Sequence, residues 1–592
     1  MTHVEATQPS SVDTAEAGGH TGGDQPDDGR AMNAMQEFRH GIPEPIGRAR
    51  VQAAAQGRMS GDAPAGRPAL RALAGWLVAG AALLVLAAAA PPAGAAALRL
   101  ALSGDVTSLD PHFLNAAPNN TVARHVFESL VQVDADGQLQ PALAESWRAV
   151  DPTTWEFRLR RGVRFHNGQE LTAEDVVFSL GRPSLLVKSP GPFTAFTRPV
   201  VGKEIVDAHT IRLRTATPYG PLPLDLSNIF IVSRKVAETA STDDFNTGKA
   251  VIGTGPWRFS SWRRGDAVEL LRNDQHWGLK PAFERVTLRI ITSDPTRMAA
   301  LLSGDVDAIE TVPTADIARL RGNPKFIVEQ RASWRTLFFH PDHSRDKSPF
   351  VFDKSGRPLE KNPLRDARVR QAISMAIDRR ALVEKTMEGL ATPATNIVAP
   401  GILGNNPAIK PDAYDPVAAR KLLAEAGWPD GFGMTLHGPN DRYINDEQVV
   451  QTVAQMLSRI GIAVKVETQP VAVYFARARK HEFSFALLGW GSNAGDFALR
   501  TLVGTQNPET GWGTWNWGRY SNPKVDALVQ SSLTNVDPKK RDAISREAMA
   551  IAMLDHAVIP LHHQFASWAM RRGVRYAARL DEFTYAHQFR LE

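Results

Sequence analysis

Cysteine is absent from the 592 residues. Disulfides, thiolate metal sites and cysteine nucleophiles are therefore excluded, and so is a lipid attached through an N-terminal cysteine. The catalytic signatures are missing as well. There is no G-x-S-x-G elbow, no H-E-x-x-H pair, and no phosphate loop ending in Gly-Lys-Ser/Thr. The GTGP at 253–256 lacks that lysine and reads as a backbone turn. Carboxylates and histidines are plentiful but form no recognisable pair, so the chain is not expected to be an enzyme, and neither cofactor nor metal is expected. Neither sign of charge dominates, with 68 Lys+Arg against 63 Asp+Glu. No basic cluster is interleaved with aromatics, which argues against a nucleic-acid partner. No internal repeat is visible.

What is present is ordinary for a globular protein: 43% hydrophobic and 22% charged residues, in a chain long enough for several domains. Residues 1–58 carry almost no apolar periodicity and read as a disordered or untranslated extension, because Met59 can serve as a start. Arg67 and Arg71 precede an apolar run from Leu73 to Ala90, and small residues follow Pro91-Pro92. This order, over 59–97, is that of a secretory signal. About 18 apolar residues also approach a membrane-spanning length, so a retained anchor stands as the rival reading.

The stretch 154–180, TWEFRLRRGVRFHNGQELTAEDVVFSL, organises the rest. Trp155, Phe157 and Leu159 alternate with Glu156, Arg158 and Arg160, the period of a half-buried strand. Val163 and Phe165 resume the alternation after Arg161-Gly162, as in a hairpin. Thr172 with Asp175 has the spacing of a capping box at a helix start. Further on, Asp136-Gly137 is a hairpin turn. Residues 362–387 carry apolar residues at helical spacing, Asp415-Pro416 starts another helix, and Asp537-Pro538 starts the last one. Helices alternate with strands after residue 331, which implies a mainly parallel sheet with helices on its faces.

The wording of 154–180 resembles the W-x-F-x-L-R-x-G-V-x-F-H-x-G-x-x-L-T-A-x-D-V-x-F-S segment of the extracytoplasmic solute-binding proteins of family 5, the peptide, dipeptide and nickel receptors of ABC importers. ESLVQVDADGQLQPALAESW (128–147) and DARVRQAISMAIDR (366–379) resemble two further segments of that family. The resemblance covers residue 98 to the C-terminus. It implies an α/β fold of the periplasmic binding protein type II, two lobes with a hinge plus an extra domain. Lobe I is expected from 98–133 with 234–330 and 559–592, the extra domain from 134–233, and lobe II from 331–558. It also implies a monomer in the periplasm that captures a peptide or peptide-like solute and delivers it to ABC permease subunits with their ATPase. A ligand-sensing or chaperone-like binder of the same fold, or a receptor for a non-peptide solute, is the alternative.

In the family's peptide receptors the ligand backbone pairs with a strand around a Gly-Trp step, and a carboxylate three positions after the Trp grips the α-ammonium. The match here is Gly489, Trp490 and Gly491, but the carboxylate position holds Asn493. An amide supplies no charge, so either Asp496 takes over that role or the ligand has no free ammonium. Trp334 and Phe338 fall near another ligand-facing position, and His562 is the member of the His562-His563 pair expected at the cleft. N-terminal sequencing of protein exported by its own host is expected to begin near Ala96 or Leu98; a chain still starting at Met59 would identify the apolar run as a retained anchor.

Overall fold

The computed structural model describes residues 96–592 apart from Val187. The expected extension and nearly all of the expected signal segment lie outside the described residues. Among those described, no helix is long and apolar enough to cross a membrane.

The TWEFRL strand forms as its alternation requires, with Trp155, Phe157 and Leu159 buried on one face. Its partners differ from the expected hairpin. Thr154–Leu159 pairs with Ala144–Asp151 on one side and Thr210–Thr215 on the other, in a four-stranded sheet completed by Val200–Asp207. Val163 and Phe165 instead fold back onto their own loop. Leu171 N donates to Val163 O (2.9 Å) and Phe165 N to Gln169 O (2.8 Å), so the two side chains plug the domain core without adding a strand. Glu156 is also buried, on the face expected to be solvated. It lies between Arg148 and Arg212 on the flanking strands, at 2.9 and 3.1 Å, in a cross-strand row of alternating charge. The helix Ala173–Gly181 follows with both halves of its capping box made by Thr172 and Asp175. Asp136-Gly137 turns Val131–Val133 back onto Leu139–Pro141, with Gly137 at φ +82°.

A twelve-stranded sheet carries the rest. Its strands, in chain order, are β1 (Ala97–Leu102), β2 (Trp257–Arg263), β3 (Ala267–Arg272), β4 (Arg285–Ile290), β5 (Ala308–Glu310), β6 (Phe326–Pro341), β7 (Val351–Phe352), β8 (Ala391–Pro393), β9 (Gly433–Pro439), β10 (Ala463–Gln469), β11 (Phe485–Gly491) and β12 (Ile559–Arg571). Their order across the sheet is β7-β9-β11-β6-β12-β5-β1-β4-β3-β2, with β8 beside β12 and β10 beside β9. β6 and β12 sit in the middle and join the two halves. They run antiparallel from Phe326↔Arg571 to Phe339↔Ile559, with the register broken between Ala332 and Thr336.

Both faces of β11 and of the end of β6 are covered, so these strands read as near-continuous apolar runs rather than alternating ones. Leu337, Phe339, Phe485 and Leu487 pack into one layer, while Phe338, Ala486 and Leu488 pack into the other. Four helices used below are α1 (Ala117–Val126), α2 (Asp446–Ser458), α3 (Gly495–Leu502) and α4 (Pro538–Leu554). The expected helix over 362–387 is interrupted. Ala367–Ala376 is regular, Ile377 leaves helical geometry, and Asp378 caps a new turn by accepting from Ala381 N.

One buried ion pair ties the loop before α1 to the four-stranded-sheet region. Arg182 Nη1 and Nη2 donate to the two oxygens of Asp110 at 2.6 and 2.8 Å, and Thr242 Oγ1 adds a third bond at 2.8 Å. Burial alone would raise the Asp110 pKa, but the Arg182 guanidinium overrides it and holds the carboxyl below its ordinary value. Removing one partner of such a pair leaves an uncompensated charge. Arg182→Ala is expected to lower unfolding stability by about 3–5 kcal/mol in chemical denaturation, and Asp110→Asn combined with Arg182→Met to recover most of it. A loss under about 1 kcal/mol would mean that water reaches the pair.

Candidate functional site

The two halves of the sheet meet at the end of β11. β11 pairs with β6 through Arg335↔Gly491, Thr336↔Trp490 and Leu337↔Gly489. On its other side β9 touches it only at His437↔Ala486. Beyond that point phenols replace the missing strand: Tyr474 Oη donates to Leu487 O at 2.7 Å and Tyr443 Oη to Gly489 O at 3.2 Å. No strand continues beside Trp490 and Gly491 on that edge among the described residues. The Gly-Trp-Gly sequence follows from this packing. A Cβ on Gly489 would lie 2.6 Å from the Tyr443 ring, and one on Gly491 would lie 2.5 Å from Trp334 Nε1.

The register break in β6 releases Ser333, Trp334 and Arg335 from the ladder with β12. Trp334 N donates instead to Leu580 O at 3.0 Å. Arg335 closes on Glu582, with Nη2 and Nε at 2.5 and 3.0 Å from Oε2, and Ser333 Oγ donates to the same carboxylate at 2.8 Å. Glu582 reaches this place from the C-terminal tail with φ +66°, a left-handed backbone that non-glycine residues rarely adopt.

Arg442 stands close to that pair. The turn carrying it is fixed by Asp446 at the start of α2, whose Oδ2 accepts from the N–H groups of Arg442 (3.0 Å) and Tyr443 (2.9 Å). Arg442 is exposed to water, yet its pKa is lowered, first by desolvation and then by the Arg335 guanidinium. No carboxylate oxygen comes within 4.0 Å of the Arg442 guanidinium among the described residues, so Arg335 is neutralised and Arg442 is not.

The structure separates the sequence-predicted residues into two groups. Gly489, Trp490, Gly491, Asn493 and Trp334 converge on the end of β11, and Trp490, Asn493 and Trp334 are half-buried. Phe338, His562 and Asp496 do not belong to that surface. Phe338 is 0% exposed and sits in the apolar layer under the sheet. His562 is equally sealed, with both ring nitrogens unpartnered among the described residues, and burial pushes its pKa down to about 3. Asp496 lies inside α3 and is gripped by Arg541 of α4, with Nη2 and Nε at 2.6 and 3.0 Å. Its charge is already matched, so the expectation that it replaces the missing ammonium anchor fails.

The profile of the bacterial extracellular solute-binding proteins, family 5 Middle, matches residues 138–507. The chain belongs to this family. The glutathione-binding protein GsiB of Salmonella choleraesuis (strain SC-B67) is 30% identical over 487 residues, covering 80% of this chain and 90% of that protein. Heme-binding protein A of Haemophilus influenzae is 27% identical over 474 residues, covering 75% of this chain and 82% of that protein. The periplasmic binding protein DppA of Helicobacter pylori, solved in complex with the peptide STSA, superposes with a TM-score of 0.71 at 25% identity, over 84% of this chain and 98% of that one. The fold is that of the type II periplasmic binding proteins, and the chain serves as the substrate receptor of an ABC importer.

Sequence reasoning about this family 5 receptor missed Arg335, Arg442 and Glu582. None lies in an apolar pattern, and Glu582 comes from a tail far away in sequence. The only available signal was the polar NDRYIND stretch before α2, too short and irregular to stand out. Asp496→Asn separates structure from binding here. It is expected to cost about 3–5 kcal/mol of stability, because Arg541 is left buried and unpaired. The melting temperature checks this; a normal melting temperature with weakened ligand binding would return Asp496 to the site.

Proposed function

We propose that the receptor captures a small peptide-like acid at the end of β11, with the ligand's carboxylate on Arg442. The observation that carries this reading is the Arg442 guanidinium itself, exposed to water beside the Arg335–Glu582 pair and without a carboxylate partner within 4.0 Å among the described residues. A ligand carboxylate there would gain a charge-assisted bond and relieve the repulsion from Arg335. The open edge at Trp490 and Gly491 supports main-chain pairing with an extended ligand, a mode that tolerates many side chains. The likeness to a glutathione-binding protein, named for an acidic tripeptide, supports a solute of this size and charge.

Asn493 narrows the class. With an amide where the family's peptide receptors place a carboxylate, and with Asp496 occupied by Arg541, neither position offers a free carboxylate to an α-ammonium. Peptide-like acids whose amino end is blocked or absent fit best. Hinge closure around the bound acid would bring the two halves together over β6 and β12, and the loaded receptor, a monomer exported by the segment before residue 98, would dock on its permease and ATPase.

The test is isothermal titration of full-length protein with N-acetyl-Ala-Phe and its Arg442→Gln variant, which keeps length and polarity but removes charge. The expected loss is about 2–5 kcal/mol, at least about thirtyfold in Kd. Equal affinities in the two proteins would overturn Arg442 as the carboxylate anchor.

A further inference from the structure

Trp490 is one member of a row of rings. Phe196, on the short helix Thr194–Thr197, stacks on Phe497 of α3 with centroids 6.1 Å apart and planes 23° apart. Phe497 stacks on Trp490 at 6.3 Å and 29°, Trp490 meets Trp515 at 5.4 Å, and Trp515 meets Phe475 edge-on at 5.6 Å. All five are half-buried. The cluster continues inward through Trp517, Tyr474 and Phe483, and there every ring is buried. The inner rings are core. The outer ones keep part of their surface open at the junction where Phe196 meets Phe497.

Two further observations say what this shelf would hold. Guanidinium groups lie over it, Arg500 at 5.3 Å from the Phe497 centroid and Arg479 at 5.8 Å from that of Trp515. Neither has a carboxylate oxygen within 4.0 Å among the described residues. The indole N–H of Trp490 is buried without a hydrogen-bond partner among the described residues. A donor in that state has lost its water and gained nothing in exchange, and Trp517 Nε1 in the inner part of the cluster is in the same state.

We infer that the transported solute carries an aromatic ring, which packs along the exposed edges of the Phe497–Trp490–Trp515 row. This rests on the reading that the solute is an acid held by Arg442, and it adds the ring as the feature that sets specificity. Offset and edge-on contacts with several rings favour an aromatic group over a saturated one of equal area, because ring quadrupoles complement one another. The flanking guanidinium groups strengthen the preference for an electron-rich ring.

The test uses three probes on full-length protein: N-acetyl-Ala-Phe, N-acetyl-Ala-cyclohexylalanine, and N-acetyl-Ala-Phe amide. The first is expected to bind about tenfold more tightly than the second. Trp515→Leu and, independently, Phe497→Leu are expected to bring that ratio down to about one, with folding verified by circular dichroism. Equal binding of the phenyl and cyclohexyl acids, or binding of none of the three probes, overturns the aromatic subsite, as does a ratio that survives both variants. The amide isolates the other reading. If it binds as well as the acid, Arg442 is not a carboxylate anchor, whatever the ring preference shows.

Discussion

The antiparallel pairing of β6 with β12 is the constraint on which the rest of the molecule depends. These strands, 16 and 13 residues long, lie at the centre of the sheet, and each borders a different half of it. A continuous ladder would make this a stiff girder. Register breaks between Ala332 and Thr336 and again between Leu337 and Phe338 interrupt it, the first being the wider. There the backbone of Trp334 turns to Leu580, Arg335 turns to Glu582, and Gly491 of β11 accepts the Trp334 indole against its bare Cα. The irregularity also sets out the groups proposed to meet the ligand, so a hinge at this break would put binding and closure in one location.

Charge is distributed around that place in a consistent way. Acidic groups that could have met a cation are matched by arginines from elsewhere: Asp110 by Arg182, Asp496 by Arg541, Glu582 by Arg335. A further acid, Asp225, is buried beside the Tyr219 hydroxyl that bonds it at 2.6 Å. Burial pushes its pKa up to about 6, against the pull of the Arg500 charge. Among the described residues, Arg442, Arg479 and Arg500 are guanidinium groups of this region with no carboxylate oxygen within 4.0 Å. Neutralised acids beside unpaired bases would present positive potential, which would attract the anionic solute proposed above.

The legible parts of the chain were those where local chemistry and tertiary structure coincide. Thr172 and Asp175 make their capping box because both bonds lie within one helical turn, and Asp537 caps α4 for the same reason. The β11 strand was readable because burial on both faces demands an apolar run. Partner choice was not readable. Val163 and Phe165 alternate like a strand but plug a loop, since nothing in a period of two says what lies opposite. The site was only half legible. Gly489, Trp490 and Gly491 stand out through a motif, whereas Phe338 and His562 share their strand environment yet face the apolar layers. Asp496 misled because a carboxylate in sequence carries no mark of the arginine waiting 45 residues away.

The exchange of a carboxylate for Asn493 acquires its meaning from this balance. A receptor that relies on an ammonium–carboxylate bond can stabilise its closed form with the amino end of any peptide. Without that bond, closure must draw on interactions that other ligands cannot reproduce, because a ligand shifts an equilibrium only by its differential affinity for the two forms. On the proposed reading, the Arg442 charge and the rings along Trp490 and Phe497 are the groups that would discriminate between ligands. Losing one general contact therefore shifts the burden of recognition from the backbone, which all peptides share, to the acid and the side chain, which they do not.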